Sequence, residues 1–319
     1  MLMKHLFAGA AALALLSGTA EARELTFGTQ NNETSNLYKG MDAFKTKLEE
    51  ISGGELTVTL FPNAQLGDFK AMVAMLQAGE LDMAATGYPD MSYVIPELTL
   101  IGAPYVVEDF ADLERIVAGP WGQEMEQKFE AEGVKVVDLW YYGTRQTSAN
   151  KPIESMEDLK GLRMRTPGVP FLIAYAEAVG ATPAPVAFTE VYLALQTNQV
   201  DAQENPLPTI EDMKFYEVQS SIAMTNHFVA SQAIQISMQT WDSLSDQEKA
   251  WVEEAALAGG DVNDAANVEA EAALVEKFEA AGLTVTKPDL APFRAAMKGY
   301  YSELEKEFGE GAIARVQGN

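Results

Sequence analysis

The chain has 319 residues, of which 47% are hydrophobic, and its formal net charge is −25. That length is enough for two domains of about 150 residues each. Nucleic acid and anionic membrane surfaces repel so negative a chain, so neither is an expected partner. Because a small anion is also repelled at long range, a site for one must place arginines locally.

The cysteine and histidine counts exclude several kinds of active site. The chain has no cysteine, which excludes disulfides, thiolate metal ligands and a cysteine nucleophile. Of its two histidines, His5 lies in a removable N-terminal segment, so His227 remains. A histidine-based zinc site is therefore excluded, and a Ser-His-Asp triad would need His227. Since His227 lies among strand-like residues, we interpret it as structural and expect no metal, no cofactor and no enzyme activity.

The first 22 residues have the features of a secretory signal peptide. A lysine at position 4 precedes an apolar run at residues 6–16, and Ala-Glu-Ala at residues 20–22 fits the small-x-small cleavage rule. This run is shorter than the ~20 apolar residues that span a membrane. No later segment is apolar enough to span one. We therefore predict export to the periplasm, with no membrane insertion of the mature chain.

The first part of the mature chain alternates strands with helices. The predicted elements are, in order, a strand at 23–28, a helix capped by Ser35, a strand at 56–60, a helix at 70–78 and a strand at 81–86. This order indicates a parallel sheet that binds ligands at the carboxyl ends of its strands. Three residues lie at those ends: Gln30, Phe69 and Gly87.

A second α/β unit follows after a crossing segment at residues 141–150. Before the crossing we predict helices at 108–117 and 121–132 and a strand at 134–140; after it come a short helix opened by a capping box at 155–158, a strand at 162–166, helices at 168–178 and 189–198, and a strand at 200–205.

The last third is predicted to return to the first unit. Its predicted elements are strands at 222–228 and 233–238, a very long helix from the capping box at 245–248 to about residue 281 with a kink at Gly259-Gly260, a strand at 283–286 and a helix at 293–308.

Several crossings between two α/β units predict a two-lobed, periplasmic-binding-protein-like fold of the type II kind. A ligand would bind in the cleft between the lobes, and the long helix would span both. We predict that lobe I comprises residues 23–142 plus about 231–270. Lobe II would comprise residues 143–230 plus about 271–319. Such a hinged clamp needs no catalytic base.

The strand at 162–166 carries two arginines on one face, Arg163 and Arg165, because side chains alternate along a strand. An arginine at the mouth of a strand in so acidic a chain is directed at an anion. One interpretation is an ion pair with a protein carboxylate, which is the commoner case. The other is a bidentate clamp on a ligand carboxylate, which suits the planar guanidinium group. The spacing alone favours the ion pair.

The whole mature chain resembles the DctP-type solute-binding proteins of tripartite ATP-independent periplasmic (TRAP) transporters. The resemblance rests on four motifs: Gln-Leu-Gly-Asp at 65–68, Gly-Leu-Arg-Met-Arg at 161–165, Phe-Thr-Glu-Val-Tyr-Leu-Ala-Leu-Gln-Thr at 188–197 and Asp-Ala-Gln-Glu-Asn-Pro at 201–206. The family usually has glycine where this chain has Ala202. Within the family, residues 143–206 are most similar to the sialic-acid-binding members.

This resemblance implies roles for individual residues. Arg165 would form the carboxylate salt bridge, Arg145 a second cationic contact, Asn205 an amide contact and Phe188 an apolar wall. Without the resemblance, Arg163 reads as a partner of a surface acid, Phe188 as core and Asn205 as a turn residue.

Gln30 is added as a contact because of its position at a strand end. On that side the chain departs from the sialic-acid pattern, which has asparagine, an acid and glutamate at positions 30, 69 and 87. A polyhydroxylated nine-carbon sugar would leave hydroxyls unpaired there, at about 1–3 kcal/mol each. These departures favour another organic anion: a smaller sugar acid, a hydroxy acid, a dicarboxylate or a sulfonate.

The expected function is therefore capture of an organic acid anion in the periplasm and its delivery to a TRAP permease with a large and a small membrane subunit. Two alternatives stay open on sequence alone. One is a secreted enzyme with a catalytic pair among the 47 acidic residues. The other is a periplasmic sensor subunit with the same fold.

Overall fold

The computed structural model describes residues 22–318, so the predicted signal peptide lies outside the described residues except for Ala22. Within this range there is one 9-stranded sheet. Its strands are β1 (Arg23–Thr29), β2 (Leu56–Phe61), β3 (Met83–Gly87), β4 (Val134–Ala149), β5 (Arg163–Thr166), β6 (Thr182–Pro185), β7 (Ala202–Pro206), β8 (Ser221–Ser237) and β9 (Thr284–Thr286).

Helices cover both faces of this sheet. In the described range the α-helices are α1 (Asn36–Ile51), α2 (Phe69–Ala78), α3 (Leu98–Gly102), α4 (Phe110–Ala118), α5 (Pro120–Ala131), α6 (Pro170–Ala178), α7 (Val191–Gln196), α8 (Leu207–Asp212), α9 (Met238–Ser243), α10 (Asp246–Ala280), α11 (Ala291–Ala296), α12 (Lys298–Phe308) and α13 (Ala312–Gln317). Short 3₁₀ helices lie at Tyr88–Tyr93, Met156–Leu159, Phe188–Glu190 and Phe215–Glu217. None of the helices in residues 22–318 combines the length and apolarity needed to cross a membrane.

The strand order is β2-β1-β3-β8-β4-β7-β5-β6, with β9 on β8. The β1 strand is parallel to β2 and β3, which confirms the predicted parallel sheet of the first unit. Likewise, β5 is parallel to β6 and β7. Between these two parallel groups lies the antiparallel pair of β4 and β8. The result is a mixed α/β sheet in which two βαβ units are joined by two long strands.

The two long strands correct a prediction. The segment at 141–150 is not a separate crossing, because β4, which is 16 residues long, continues through it as far as Ala149. The predicted strands at 222–228 and 233–238 are likewise one strand of 17 residues, β8. The pairing has three register shifts, the second of them between Tyr141 and Gly143. These β-bulges interrupt the alternation of apolar residues without ending the strand, which is why the sequence pattern suggested breaks.

The long helix is confirmed, and its kink is not. Ser245 caps α10 by accepting a hydrogen bond from the backbone N–H of Glu248, and the helix runs unbroken for 35 residues. A β-carbon at Gly259 would lie 2.6 Å from the ring of Trp140. The glycine pair therefore permits close approach to the indole of β4, rather than bending the helix.

The C-terminal region also differs from expectation. The predicted helix at 293–308 is two helices, α11 and α12, which are joined at Met297. The sequence pattern missed β6 and the helices α3, α8, α9 and α13, all of which are short. Ser35 and the capping box at Ser155 cap their helices as predicted. Long, strongly periodic elements were thus recognised more reliably than elements of four to six residues.

Candidate ligand-binding cleft

A cavity of about 290 Å³ lies where the carboxyl ends of β1, β3 and β5 approach the middle of β4 and β8. This is near the lower end of the range for small-molecule sites, ~300–1,000 Å³. All of the predicted contact residues line it: Gln30, Arg145, Arg165, Phe188 and Asn205. Phe69 and Gly87, the other strand-end residues, line it as well.

Arg165 is a buried cation whose charge has no acidic partner. Its side chain lies on β5, only 2% exposed, and Nε donates to the backbone oxygen of Val186 at 3.0 Å. Within residues 22–318 no carboxylate lies within ion-pair distance of its guanidinium group. Burial is the main cause that lowers the pKa of Arg165, to about 10; the charge of Glu204 opposes this shift and that of Arg145 adds to it. The group stays protonated at neutral pH and faces the cavity without an ion-pair partner among the described residues.

Arg163 illustrates the opposite case on the same strand. Its side chain is 48% exposed and forms a two-point ion pair with Asp201, with Nη2–Oδ1 at 2.7 Å and Nε–Oδ2 at 2.9 Å. This is the surface ion pair that the sequence predicted for Arg163. Of the two arginines on β5, Arg163 is therefore paired with a protein carboxylate, and Arg165 is free to pair with a ligand.

Arg145 belongs to a buried network with Glu204 and His227. Its Nη2 donates to Oε1 of Glu204 at 2.8 Å and to the Glu204 backbone oxygen at 2.6 Å, and Nε donates to Oε2. His227 Nε2 lies 3.1 Å from Oε2 of Glu204, and its Nδ1 lies 2.9 Å from the hydroxyl of Thr225. The ring of Tyr175 stacks on the imidazole at 4.0 Å. Thus His227 is structural, as predicted, and both ring nitrogens are occupied.

The charges of this network are fixed by its geometry. Burial would raise the pKa of Glu204, but the charge of Arg145 and the hydrogen bond from His227 lower it to about 2. Burial opposes ionisation of Arg145, yet Glu204 outweighs it and raises the pKa of that guanidinium. Desolvation lowers the pKa of His227, so the imidazole is neutral and Nε2 carries the proton that Glu204 accepts. The network is neutral in sum, and Arg165 leaves one surplus positive charge beside it.

Asn205 is held by a second network on the other face of β7, because Gln203 and Asn205 alternate with Glu204. Asn205 Nδ2 donates to Oε1 of Gln203 at 2.7 Å, and Gln203 Nε2 donates to the hydroxyl of Ser148 at 2.8 Å. Ser148 in turn donates to Gln219 at 3.2 Å. These bonds fix the Asn205 side chain and leave its carbonyl oxygen without a protein partner in the described range.

Aromatic rings form the apolar part of the cavity. Phe171 and Phe228 pack against each other with centroids 5.3 Å apart, and both line it. Phe188 lines it too and is only partly buried, so it is not simply core. Tyr142 of β4 accepts a hydrogen bond from Nδ2 of Asn31 at 2.7 Å. With Arg145, Arg165 and Asn205, these rings form what we call the arginine side of the cavity, which Glu204 supports through its hydrogen bonds with Arg145.

The opposite wall, which we call the aspartate side, is more sparsely polar. It comprises Gln30, Asp68, Phe69, Gly87 and Asp90. Gln30 is partly exposed and its side chain has no hydrogen bond to any described residue. Phe69 contacts Tyr93 edge-on, with centroids 6.4 Å apart. Two carboxylates line this side, the exposed Asp68 and the partly buried Asp90. Asp68 accepts from the backbone N–H of Ala71 at 2.9 Å, and one oxygen of Asp90 accepts from the backbone N–H of Gly87 at 3.2 Å.

Comparison with known proteins matches this geometry to a family. The model of the bacterial extracellular solute-binding proteins, family 7 (DctP), matches residues 27–307. The chain belongs to the DctP family.

Individual relatives of this DctP protein are named for, or were solved with, different ligands. It is 43% identical over 299 residues to the sialic acid-binding periplasmic protein of Vibrio cholerae, which covers 92% of each chain. It is 30% identical to the C4-dicarboxylate-binding periplasmic protein of Rhodobacter capsulatus, over 97% of this chain and 95% of that one. A TRAP periplasmic solute-binding protein of Roseobacter denitrificans, solved with bound L-galactonate, is 29% identical and superimposes with a TM-score of 0.85, covering 92% of this chain and 100% of that one.

The two-lobed α/β fold of TRAP solute-binding proteins, predicted from the sequence, is thereby confirmed. Members of the DctP family are extracellular solute-binding proteins. The residue boundaries of the two lobes stay a prediction, since the described sheet is continuous across both.

The positions of two cavity residues, Tyr142 and Asp90, and of Glu204, which supports the cavity wall, were not predicted from the sequence. The partnership of Glu204 with Arg145 was not anticipated, although the register that places residues 145 and 206 opposite each other on β4 and β7 follows once the strands pair. Tyr142 was assigned to a crossing segment, and β4 instead carries it into the wall. Asp90 lies in a 3₁₀ helix that no periodic pattern marks.

Proposed function

We propose that this DctP protein is the periplasmic receptor of a TRAP transporter, which captures an organic acid anion and delivers it to the membrane permease. The observation that carries the proposal is Arg165, a buried guanidinium group that faces the cavity and has no protein carboxylate at ion-pair distance within the described range. Burying a charge without a partner is costly. A ligand carboxylate would remove that cost, and the planar guanidinium group can bind it at two points.

The contacts follow from the position of each side chain. Arg165 forms the salt bridge to the ligand carboxylate through its terminal nitrogens, since Nε is bonded to Val186. Arg145 adds the donor capacity that Glu204 does not use. Asn205 bonds a polar group of the ligand, Phe188 covers an apolar face, and Gln30 reaches the ligand from the opposite wall. We assign lobe I to residues 23–142 plus about 231–270 and lobe II to the remainder of the mature chain.

Closure would be a population shift. A ligand that contacts both walls only when the cleft is shut stabilises the shut state in proportion to those contacts. The permease, with its large and small membrane subunits, would then recognise the closed receptor. Residues 1–22 act as the signal peptide that brings the chain to the periplasm. The periplasmic relatives and the family match support this location.

We infer that binding is not followed by chemistry. The histidine that could act as a general base is neutral and has both ring nitrogens bonded, to Thr225 and Glu204. Glu204 is held ionised by Arg145 and His227, so it has no proton to give near neutral pH. A purified protein that bound an acid stoichiometrically and left it unchanged would fit this role.

The deciding experiment compares the two arginines of β5. Wild-type protein is screened by thermal shift against sugar acids, hydroxy acids, C4-dicarboxylates and sulfonates, because a bound ligand raises the melting temperature with its concentration. Affinity for the best acid is then measured by calorimetry for Arg165→Ala and for Arg163→Ala. Arg165→Ala removes the buried charge pair between Arg165 and the ligand carboxylate. It should weaken binding by about 100-fold or more, since such truncations cost about 2–5 kcal/mol.

Arg163→Ala is the matched control, because it removes the same charge from the same strand outside the cavity. It should change affinity by less than about threefold, as exposed ion pairs contribute little. Arg165→Lys keeps the charge and loses the two-point geometry, so it should bind with intermediate affinity. Equal affinities of wild type and Arg165→Ala, with circular dichroism unchanged, would refute the proposed function.

A further inference from the structure

Gly87 and Asp90 share one space in the cavity wall. A β-carbon built on Gly87 would lie 2.7 Å from Cγ and from both oxygens of Asp90. Real contacts of a β-carbon are never this short, so no other residue fits at position 87 unless Asp90 moves. Because Gly87 has φ −57°, an ordinary value for any residue, the glycine is not there for its backbone conformation. The missing side chain makes room for the Asp90 carboxylate.

The carboxylate in this space is only half engaged by the protein. One oxygen accepts from the backbone N–H of Gly87 at 3.2 Å. The other oxygen has no hydrogen-bond donor within residues 22–318, and the side chain lines the cavity. A carboxylate oxygen in such a place accepts a hydrogen bond from a hydroxyl group and repels another carboxylate.

The charges around the cavity are therefore arranged in opposite senses. The arginine side has one surplus positive charge, and the aspartate side has the carboxylates of Asp68, which is exposed, and Asp90, which is partly buried. The cation that lines the aspartate side is Lys70, which is exposed and lies over the rings of Phe69 and Tyr93 at 5.7 and 5.5 Å. A ligand with one carboxylate at one end and hydroxyls at the other matches this arrangement. A ligand with a carboxylate at each end would bring the second one towards Asp90.

We propose that Asp90 is a specificity-determining residue that accepts a hydrogen bond from a ligand hydroxyl and so selects hydroxylated monocarboxylates over dicarboxylates. This inference rests on the proposed function, because it assumes that Arg165 holds the first carboxylate. It narrows the ligand class that the family leaves open, since relatives of this chain include both a C4-dicarboxylate-binding and an L-galactonate-binding protein.

The charge state of Asp90 agrees with its role as a hydrogen-bond acceptor. Burial raises the pKa of Asp90 to about 6, against the lowering effects of Arg145 and of the Gly87 N–H, and Glu204 adds to the rise. At pH 7.5 the group is mostly ionised and is therefore an acceptor only. Placing a like charge against it costs affinity, whereas a hydroxyl donor satisfies it.

The test uses acids that differ only at the far end. L-Galactonate and D-gluconate each end in CH₂OH, and galactarate and D-glucarate have a second carboxylate in its place. Affinities are measured by calorimetry at pH 7.5 for wild type and for Asp90→Asn. Wild type should bind the better monocarboxylate about tenfold or more tightly than its dicarboxylate. The asparagine can donate to a carboxylate as well as accept from a hydroxyl, so this ratio should fall by about tenfold.

Asp42→Asn is the matched control, because it removes one unit of charge from an exposed site on α1, outside the cavity lining. It should leave the ratio unchanged. Gly87→Ala is a second variant that keeps the charge and displaces the Asp90 carboxylate. It should weaken monocarboxylate binding while circular dichroism stays that of the wild type.

The results separate this inference from the proposed function. If wild type binds the mono- and dicarboxylates alike, or if Asp42→Asn changes the ratio as much as Asp90→Asn, the selective role of Asp90 is overturned. Binding of none of the four probes, together with Arg165-dependent binding of another acid, overturns it as well and leaves the proposed function standing. Loss of Arg165 dependence would overturn both.

Discussion

The two walls of the cavity are built in different ways. On the arginine side, the charged and amide groups are almost completely buried, and each is held by protein hydrogen bonds. On the aspartate side, Gln30 has no recorded partner among the described residues and Asp90 has one. A wall whose groups are fixed can bind a carboxylate without reorganising. A wall with unused acceptors can discriminate among ligands by the groups that they have at the end far from the carboxylate.

This contrast suggests a division of roles: the arginine side provides most of the affinity, and the aspartate side provides the selectivity. The carboxylate is common to every organic acid, so the part that recognises it can be rigid and the same for all. The rest of the ligand varies, and the groups that face it change the ligand range without disturbing the arginine. On this view, the departures at Gln30, Phe69 and Gly87 alter which acid is bound, and they leave the capture of an acid intact.

The largest expected effect is on stability, from breaking the network of the arginine side. Glu204→Ala leaves Arg145 and His227 without their shared partner in a dry environment. Removing one member of a buried ion pair should lower the free energy of unfolding by about 3–5 kcal/mol. The measurement is urea denaturation followed by circular dichroism. A matched control is Asp201→Ala, which breaks the half-exposed pair with Arg163 and should cost less than about 1 kcal/mol.

A double variant sharpens this prediction. If the damage comes from the unpaired charge, Arg145→Met with Glu204→Met should be less destabilised than either single change, because an apolar pair has no desolvation cost. A double variant as unstable as the sum of its singles would show that packing, rather than charge, is what Glu204 contributes.

That Arg165 and Asn205 line the cavity could be predicted for a local reason. Alternation along β5 and β7 follows from a few consecutive residues, so strand geometry and the family motifs together pointed to Arg165 and Asn205. The same pattern could not say which of Arg163 and Arg165 would be paired. That depends on Asp201, which lies beside Arg163 because β5 pairs with β7.

The remaining features depend on contacts between distant parts of the chain. The β4 strand runs on past Tyr141 because β8 pairs with it across three bulges, and no local pattern contains that partner. Gly259 was taken for a kink because its neighbour, Trp140, is far away in sequence. The Asp90 carboxylate occupies its place because position 87 has no side chain, which is a steric relation between the last residue of β3 and a residue of the 3₁₀ helix that follows it. Residues of this kind are identified from a structure, not from periodicity.

An intermediate effect is expected from the amides, one on each wall. Asn205→Ala removes a group that Gln203 holds in place, so it should weaken ligand binding by about 1–3 kcal/mol, partly because Gln203 loses its partner too. Gln30→Ala removes a partly exposed side chain that must first be ordered on binding. We expect a loss of less than about 1 kcal/mol, since ordering costs offset its hydrogen bond. Calorimetry with the same ligand compares both variants.

The order of these two losses is the informative quantity. If Gln30→Ala weakened binding more than Asn205→Ala, the aspartate side would be the main source of affinity, and the division between the walls would be wrong. Equal losses with equal changes in melting temperature would instead indicate that both variants act through the fold.

The expected effect that is confined to the narrowest range of conditions is the pH dependence that Asp90 adds to stability. Its pKa in the folded protein is raised from 3.8 to about 6, chiefly by burial. Between these values the folded state retains a proton that the unfolded state has lost, so this contribution to stability is complete below pH ~4 and is lost as the pH rises through 6. Asp90→Asn removes the titration. The variant should therefore gain stability relative to wild type as the pH rises from 4 to 7, by up to about 3 kcal/mol.

Other groups do not confuse this measurement. Asp212 and Asp264 also have pKa values raised to about 6, by burial first, but they titrate alike in wild type and in Asp90→Asn and cancel in the difference. Glu204, which acts on Asp90, titrates near 2 and stays ionised across the range. Melting temperatures of both proteins, taken without ligand at half-unit steps of pH, give the difference directly. If that difference is flat from pH 4 to 7, Asp90 is not held in a desolvated site, and its carboxylate would have to reach the ligand from solvent.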